Sequence, residues 1–353
     1  MRTDKITIPR WFDRHLHLRE EEMLETVLPY TLRSQAAGAI VMGNLRHPHE
    51  TSTIFNAETY RARIMRLIPT GVDFTPLMTC YLTDEITPDE VVEGYERGIW
   101  RAVKLYLSGA AGTTNAGHGV KDFHGRYPVF AAMEKHGIPL LGHFESPDEG
   151  VDEFDREYVG LCRYLDPLMV SFPGLKIVFE HITDGRSAEY VDENGPNLYA
   201  TVTAHHLLCD RNAIFAGGMN PLHWCKPVLK RREHQLAVRK FVTSGHPRFG
   251  AGTDSAPHDR RNKSRCVGCA AGIFTAPAAP ALYATVFDED NALEYFEAFM
   301  SKNFLDIYGT KPSTTTMTLC RETFFIPEAV GTSDAGVVEV FKGGTPLNWK
   351  LAD

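Results

Sequence analysis

Positive charge is in short supply. Thirty-seven lysines and arginines stand against 45 aspartates and glutamates, a formal net charge of −8 over 353 residues. Such a chain offers no basic footprint for nucleic acid or for an anionic membrane surface. Cysteine is also scarce, seven in all, odd in number and irregularly spaced. That argues against a disulfide framework and suits reduced thiols in a cytoplasmic protein. The lone Cys-x-x-Cys, Cys266 to Cys269, has no second pair to close a structural zinc site and reads as a loop. No internal repeat, low-complexity tract or flexible linker stands out, and Met1 to Arg10 is too short and polar for a secretory signal. The uncharged run from Cys266 to Phe287 is long enough to span a membrane, but Pro277 and Pro280 favour a buried loop leading into a helix.

What the chain does have is a repeated alternation. Apolar, β-rich runs fall at about 11–17, 38–44, 73–81, 99–107, 138–144, 176–181, 199–204 and 248–254. Stretches of helical character lie between most of them: Glu21 to Ala37, Glu58 to Leu67, Val129 to His136, Arg156 to Met169 and Arg231 to Thr243. This outline predicts an α/β fold, a (β/α)8 TIM-like barrel whose chemistry sits at the C-terminal ends of the strands. A doubly wound open sheet also alternates strand and helix, but it gathers ligands only near one switch point. One barrel domain over 1–353, with a peripheral C-terminal extension after about 310, fits the length better than two domains.

Six candidate metal ligands stand at the ends of these strands: His15, His17, Lys104, His143, His181 and Asp254. His15 and His17 are two apart on a strand, so both imidazoles project to one face. With 15 histidines in the chain an isolated His-x-His carries little weight, and His47-Pro48-His49 is a second instance, read as loop. Placement at successive strand ends is the stronger signal. Imidazole and carboxylate ligands suit zinc. Lys104 faces inward if Val103 and Leu105 face the helices. Such a lysine can clamp phosphate, form a Schiff base, or take up carbon dioxide as a carbamate that bridges two metals. Beside four histidines and an aspartate, the carbamate leads. His205 and His206 close the seventh strand, where adjacent residues point to opposite faces, so at most one enters the site; both are left out of the metal set.

Along nearly its whole length the chain resembles the dihydroorotases of the amidohydrolase superfamily, in their short, stand-alone bacterial form. The resemblance runs through His15-Leu16-His17-Leu18-Arg19, Met42-Gly43-Asn44-Leu45, Val103-Lys104-Leu105-Tyr106, Gly112-Thr113-Thr114-Asn115, Gly142-His143, Glu180-His181-Ile182-Thr183, Gly252-Thr253-Asp254-Ser255-Ala256-Pro257-His258 and Ala271 to Pro277. It implies a hydrolase of pyrimidine biosynthesis that interconverts N-carbamoyl-L-aspartate and L-dihydroorotate. It implies two Zn2+ per subunit: one on His15, His17 and Asp254, the other on His143 and His181, bridged by carbamylated Lys104 and hydroxide. Asp254 is then also the catalytic acid and base. Arg19, Asn44 and His258 would hold the substrate carboxylate, backbone near His223 and Ala271 would read the ring amides, and Thr113 and Thr114 would ride a closing loop. The family also implies a cytoplasmic homodimer with a small-molecule substrate.

The chain departs from the family pattern in two places. The histidine in Asn220 to Cys225 is displaced by one position, and Leu107 to Gly112 carries an extra residue. Two other functions compete. A hydantoin or allantoin hydrolase would keep the ligands but change the anion grip, against which Arg19, Asn44 and His258 speak. A metal-free scaffold for another pyrimidine enzyme would have no need of all six ligand positions. At the single-residue level the competing readings are that Arg19 only pairs with Glu21 or Glu22, and that Asn44 and His258 cap loops.

Overall fold

The computed structural model describes residues 3–45, 50–109, 118–265, 267–332 and 336–352. After strand β1 (Lys5–Pro9) come eight strands close to the expected positions: β2 (Phe12–Leu16), β3 (Gly38–Val41), β4 (Thr75–Tyr81), β5 (Ala102–Tyr106), β6 (Leu140–His143), β7 (Ile177–Phe179), β8 (Leu198–Val202) and β9 (Phe249–Ala251). Each pairs in parallel with the next, from β2 round to β9. The ring closes where Asp254 N–H donates to His15 O at 2.9 Å and His17 N–H donates to Ser255 O at 3.2 Å. A sheet that runs in sequence order and returns to its first strand is a (β/α)8 barrel, with no switch point of the doubly wound kind.

Between the strands lie α1 (Glu21–Arg33), α2 (Ile54–Leu67), α3 (Pro88–Glu96), α4 (Tyr127–His136), α5 (Arg156–Gly160), α6 (Asp166–Ser171), α7 (Gly185–Glu193), α8 (Ala204–Leu208), α9 (Arg232–Val242), α10 (Arg260–Lys263) and α11 (Ala279–Glu289). Local chemistry sets several ends. Helix α3 begins in a reciprocal cap: Thr87 Oγ1 accepts from Glu90 N–H while the Glu90 carboxylate accepts from Thr87 N–H, with Pro88 opening the first turn. Helix α1 stops at Arg33 rather than Ala37, because Gln35 turns into the left-handed region at φ +58°. The expected helix over 156–169 is interrupted by a π turn at Leu161–Leu165. Helices α3 and α7 are passed over in the sequence reading, each being nine residues long with few buried apolar positions.

Two apolar clusters separate the outside of the barrel wall from its inside. Val41, Met78, Val103, Leu105, Leu140, Ile177, Phe179, Ala200, Val202 and Phe249 belong to the larger one, with helix residues such as Val27, Tyr60, Ile64 and Phe130. Ile40, Ala102, Leu141 and Val178, from the opposite face of the same strands, pack with Phe304, Leu305, Ile307 and Tyr308 to fill the floor. Arg14 fastens that plug: its guanidinium lies 4.9 Å from the Phe304 ring centre and donates to Asn303 O at 2.8 Å. Above the floor, two residues further along the same inward rows, stand Lys104, His143 and Glu180.

The segment beyond 310 returns to the start of the chain, where β10 (Thr316–Cys320) pairs antiparallel with β1. It also reaches the mouth of the barrel, with Phe341 N–H donating to Phe274 O at 2.9 Å. The uncharged run that raised the membrane question is, among the described residues, a loop followed by the 11-residue helix α11. No described helix is long and apolar enough to cross a membrane.

Candidate metal centre

His15 lies on β2 and His17 just beyond it, Lys104 on β5, and His143 is the last residue of β6. His181 and Asp254 follow the ends of β7 and β9, and both hold left-handed backbone, φ +41° and +43°. For residues with a Cβ that conformation is uncommon and costs on the order of 1–3 kcal/mol, and it clusters where chemistry needs a side chain turned. Arg19 shares it, at φ +60°. The approach of β9 to β2 requires a glycine at 252, since a Cβ there would stand 2.8 Å from Thr201 Cβ and 3.1 Å from His15 Cβ.

Five of the six side chains converge in two groups, and the buried Lys104 amine lies within electrostatic reach of Asp254 and Glu180. Asp254 Oδ1 lies 3.1 Å from His17 Nε2 and 3.4 Å from His15 Nε2, and the two imidazole nitrogens are 3.4 Å apart. His15 Nδ1 is 2.7 Å from Glu180 Oε2. The carboxylate accepts a hydrogen bond from Nδ1–H, which leaves the Nε2 lone pair facing His17 Nε2 and Asp254 Oδ1. On the opposite side His143 Nε2 is 2.7 Å from Glu145 Oε2, so His143 Nδ1 presents its lone pair to His181 Nε2 at 3.2 Å. The rings of His15 and His181, 4.9 Å apart, join the groups. Lys104 Nζ and His181 Nδ1 are buried with no hydrogen-bond partner.

Acceptors turned toward one another in a buried space repel unless a cation lies between them, so this donor set fits metal ions of the zinc type. Electrostatics agree. Burial lowers the His143 and His181 pKa values and brings His17 to about 3, keeping these imidazoles neutral as ligands must be. Burial by itself would raise the Asp254 pKa, but the His17 hydrogen bond and the neighbouring His15 hold it below the ordinary carboxylate range. Burial brings the Lys104 ammonium down to about 8, so a usable fraction is free amine near neutral pH.

A small cavity of about 40 Å³ opens on this centre, lined by His17, Arg19, Asn44, His143, His181 and Asp254 among others, and it includes Ala271. Arg19 makes no pair with Glu21 or Glu22. Its Nε–H donates to Pro257 O at 3.1 Å and its Nη2 lies 3.2 Å from His258 Nε2. Asn44 is 5 % exposed with Oδ1 unpartnered, which a loop cap would not leave. His258 Nε2–H donates to Ala271 O at 2.8 Å. His223 stands elsewhere, on the wall of an adjoining cavity of about 310 Å³ that shares Ala256 and Gly272 with the first and is closed by Val338 to Gly343. Thr113, Thr114, His47 and His49 lie outside the described residues.

Sequence reasoning missed four residues around this centre. Glu180 orients His15 and Glu145 orients His143; the signals were available, since Glu180 shares the inward face of Val178 and Glu145 follows His143 by two. Burial would raise the Glu145 pKa, but the His143 contact and the charges of Lys226 and Lys230 bring it to about 2. Lys226 and Tyr106 line the small cavity. The reading of His205 and His206 also needs correction. Strand β8 ends at Val202, and Thr203 caps the helical turn α8, so both histidines sit on a helix where strand alternation does not apply, and both are buried.

Fold and site together are those of a metal-dependent amidohydrolase barrel. No family model matches the chain. A dihydroorotase of Cupriavidus necator is 48 % identical over 349 residues, covering 99 % of both chains. One of Yersinia enterocolitica is 46 % identical over 346 residues, 98 % of this chain and 97 % of its own. Among solved structures, the dihydroorotase of Saccharomyces cerevisiae in complex with 5-fluoroorotic acid superposes with a TM-score of 0.91 at 32 % identity, over 99 % of each chain. An L-hydantoinase of Arthrobacter aurescens, at 12 % identity and a TM-score of 0.81 over 98 % of this chain and 83 % of its own, shares the fold. The chain belongs to the dihydroorotase family.

Proposed function

We propose that the chain is a zinc-dependent dihydroorotase, which hydrolyses L-dihydroorotate to N-carbamoyl-L-aspartate and, in pyrimidine biosynthesis, runs the reverse cyclisation. The observation that carries this is the convergence of the lone pairs of His15, His17 and Asp254, and of His143 and His181, around the buried amine of Lys104, with Arg19 and Asn44 in the same cavity. His15, His17 and Asp254 would hold one zinc, His143 and His181 the other, and Lys104 as its carbamate would bridge them. Two such ions supply Lewis acidity at the scissile carbonyl and lower the pKa of a bound water to about 7.

The protein's own groups do the rest. Asp254 accepts the proton of the attacking water and delivers it to the departing ring nitrogen; in the cyclising direction the transfers reverse. Arg19 offers the substrate carboxylate two parallel N–H donors on a planar fork, which a lysine would not match. Asn44 and His258 complete that grip. Ala271, whose carbonyl accepts from His258, would border the ring and read its amides together with backbone near His223.

The anion grip favours dihydroorotate over hydantoins and allantoin, which lack a ring carboxylate. The test is to offer the purified protein all three substrates. Turnover of dihydroorotate alone supports the assignment, and a preference for an uncharged ring would overturn it. The same reading treats residues 1–353 as one barrel unit with its extension, and carries with it a homodimer and a cytoplasmic setting. The described cysteines, all of them free thiols, suit the latter.

A further inference from the structure

A second cluster of side chains able to ligate a metal is made by residues other than the six ligands. His205, His206 and Cys225 each bring a ligand atom to within 4.8 Å of the others, and the three are 0 %, 3 % and 0 % exposed. His205 and His206 come from α8 at the end of β8, and Cys225 from the segment after the turn Pro221–His223. Cys225 Sγ is 3.6 Å from His206 Nε2 and 3.4 Å from Pro227 O, and His206 Nε2 is 2.9 Å from the same carbonyl.

Hydrogen bonding accounts for part of this arrangement. His206 has a partner at each nitrogen, Thr203 Oγ1 and Pro227 O, and the Cys225 thiol can donate to Pro227 O. It does not account for His205. Both ring nitrogens of that imidazole are buried without a partner, a cost that a hydrogen-bonded core histidine does not carry. The spacings are also those of a coordination shell. Zinc–nitrogen bonds of about 2.0–2.1 Å and a zinc–sulfur bond of about 2.3 Å place tetrahedral ligands roughly 3.3–3.6 Å apart. The His206–Cys225 separation, 3.6 Å, matches that edge.

We propose that His205, His206 and Cys225 form a third metal site, specific for a thiophilic divalent ion such as zinc, cobalt or cadmium, with Pro227 O available as the fourth ligand. Binding forms a metal–sulfur bond and releases one proton from the Cys225 thiol, with no change of oxidation state. His206 coordinates through Nε2 and moves its proton to Nδ1, facing Thr203 Oγ1. With three protein side chains and a carbonyl the shell is closed, which marks the site as structural. It pins the segment that carries His223 and Lys226, one on each cavity wall, to the end of the seventh barrel strand.

The test uses the full chain loaded with excess cobalt, because a thiolate ligand gives a sulfur-to-cobalt charge-transfer band in the near ultraviolet that a centre of nitrogen and oxygen ligands does not. The native protein should show that band and bind a third equivalent of cobalt. Cys225→Ser should abolish the band and release one equivalent; His205→Gln, a change that keeps a polar side chain of similar reach, should weaken binding of that equivalent at least tenfold. Cys269→Ser should leave band and equivalent in place. A native protein that binds two equivalents with no such band overturns the proposal, as does a band that survives Cys225→Ser or disappears with Cys269→Ser.

Discussion

Lys104 is fully buried over the Tyr106 ring, its nitrogen without a hydrogen-bond partner, and burial brings its pKa to about 8 from an ordinary 10.5. Between those two values the unfolded chain binds a proton that the folded chain does not, so this residue makes stability rise with pH across that window; below about 8 its penalty is constant. Lys104 should therefore contribute on the order of a few kcal/mol of stability to the metal-free protein between pH 8 and 10.5, and the stability of Lys104→Met should rise by that much less across the same window. Lys104→Ala should lose activity and recover part of it with added short carboxylic acids, which take the place of the carbamate. Asp254→Ala should lower kcat about a thousandfold or more even in samples whose metal content is retained; a near-normal rate would contradict its role in proton transfer. Arg19→Met should raise KM for dihydroorotate much more than it lowers kcat, the signature of lost uniform binding. The ligands themselves were legible because strand alternation sends residues two apart to one face. Glu145 and Glu180 were not singled out, because their signal is the inward row they share with His143 and Val178, and that row was read only for residues that bind metal directly.

The ligands come from five of the eight barrel strands, β2, β5, β6, β7 and β9; His181 and Asp254 follow the ends of theirs, where the backbone is free to leave the extended conformation, and both use that freedom in the left-handed region. The strands were readable from apolar runs to within a few residues. Their exits were not, since φ at His181 or the helical turn that carries His205 and His206 depends on packing from elsewhere in the chain. Gly252 shows how tightly one exit is held: a methyl group there meets both Thr201 and His15. Gly252→Ala should reduce thermal stability by about 1–3 kcal/mol, as overpacking does, and should weaken metal binding with it because His15 is displaced. Scanning calorimetry with metal analysis on the same sample checks both; an unchanged metal affinity would show that the close approach serves packing alone.

At the level of the whole molecule, eight alternations of strand and helix were enough to read the barrel, because only a closed ring brings residues from 15 to 254 to one mouth. The cavity beside the centre was not readable. Its wall joins Leu222, His258 and Phe274 to Val338–Gly343, segments far apart in sequence with no shared pattern. Nor does composition reveal that the segment after 310 both pairs with β1 and reaches the barrel mouth. The account rests on a two-ion centre that serves dihydroorotate. The measurement that tests it most directly is stepwise zinc titration of the metal-free protein in bicarbonate buffer, with dihydroorotate hydrolysis and bound zinc followed together. The account predicts that activity appears with zinc and reaches its plateau once the two ions of this centre are bound. Full activity in the metal-free protein, or zinc bound at His15, His17, Asp254, His143 and His181 with no turnover of dihydroorotate, would contradict it.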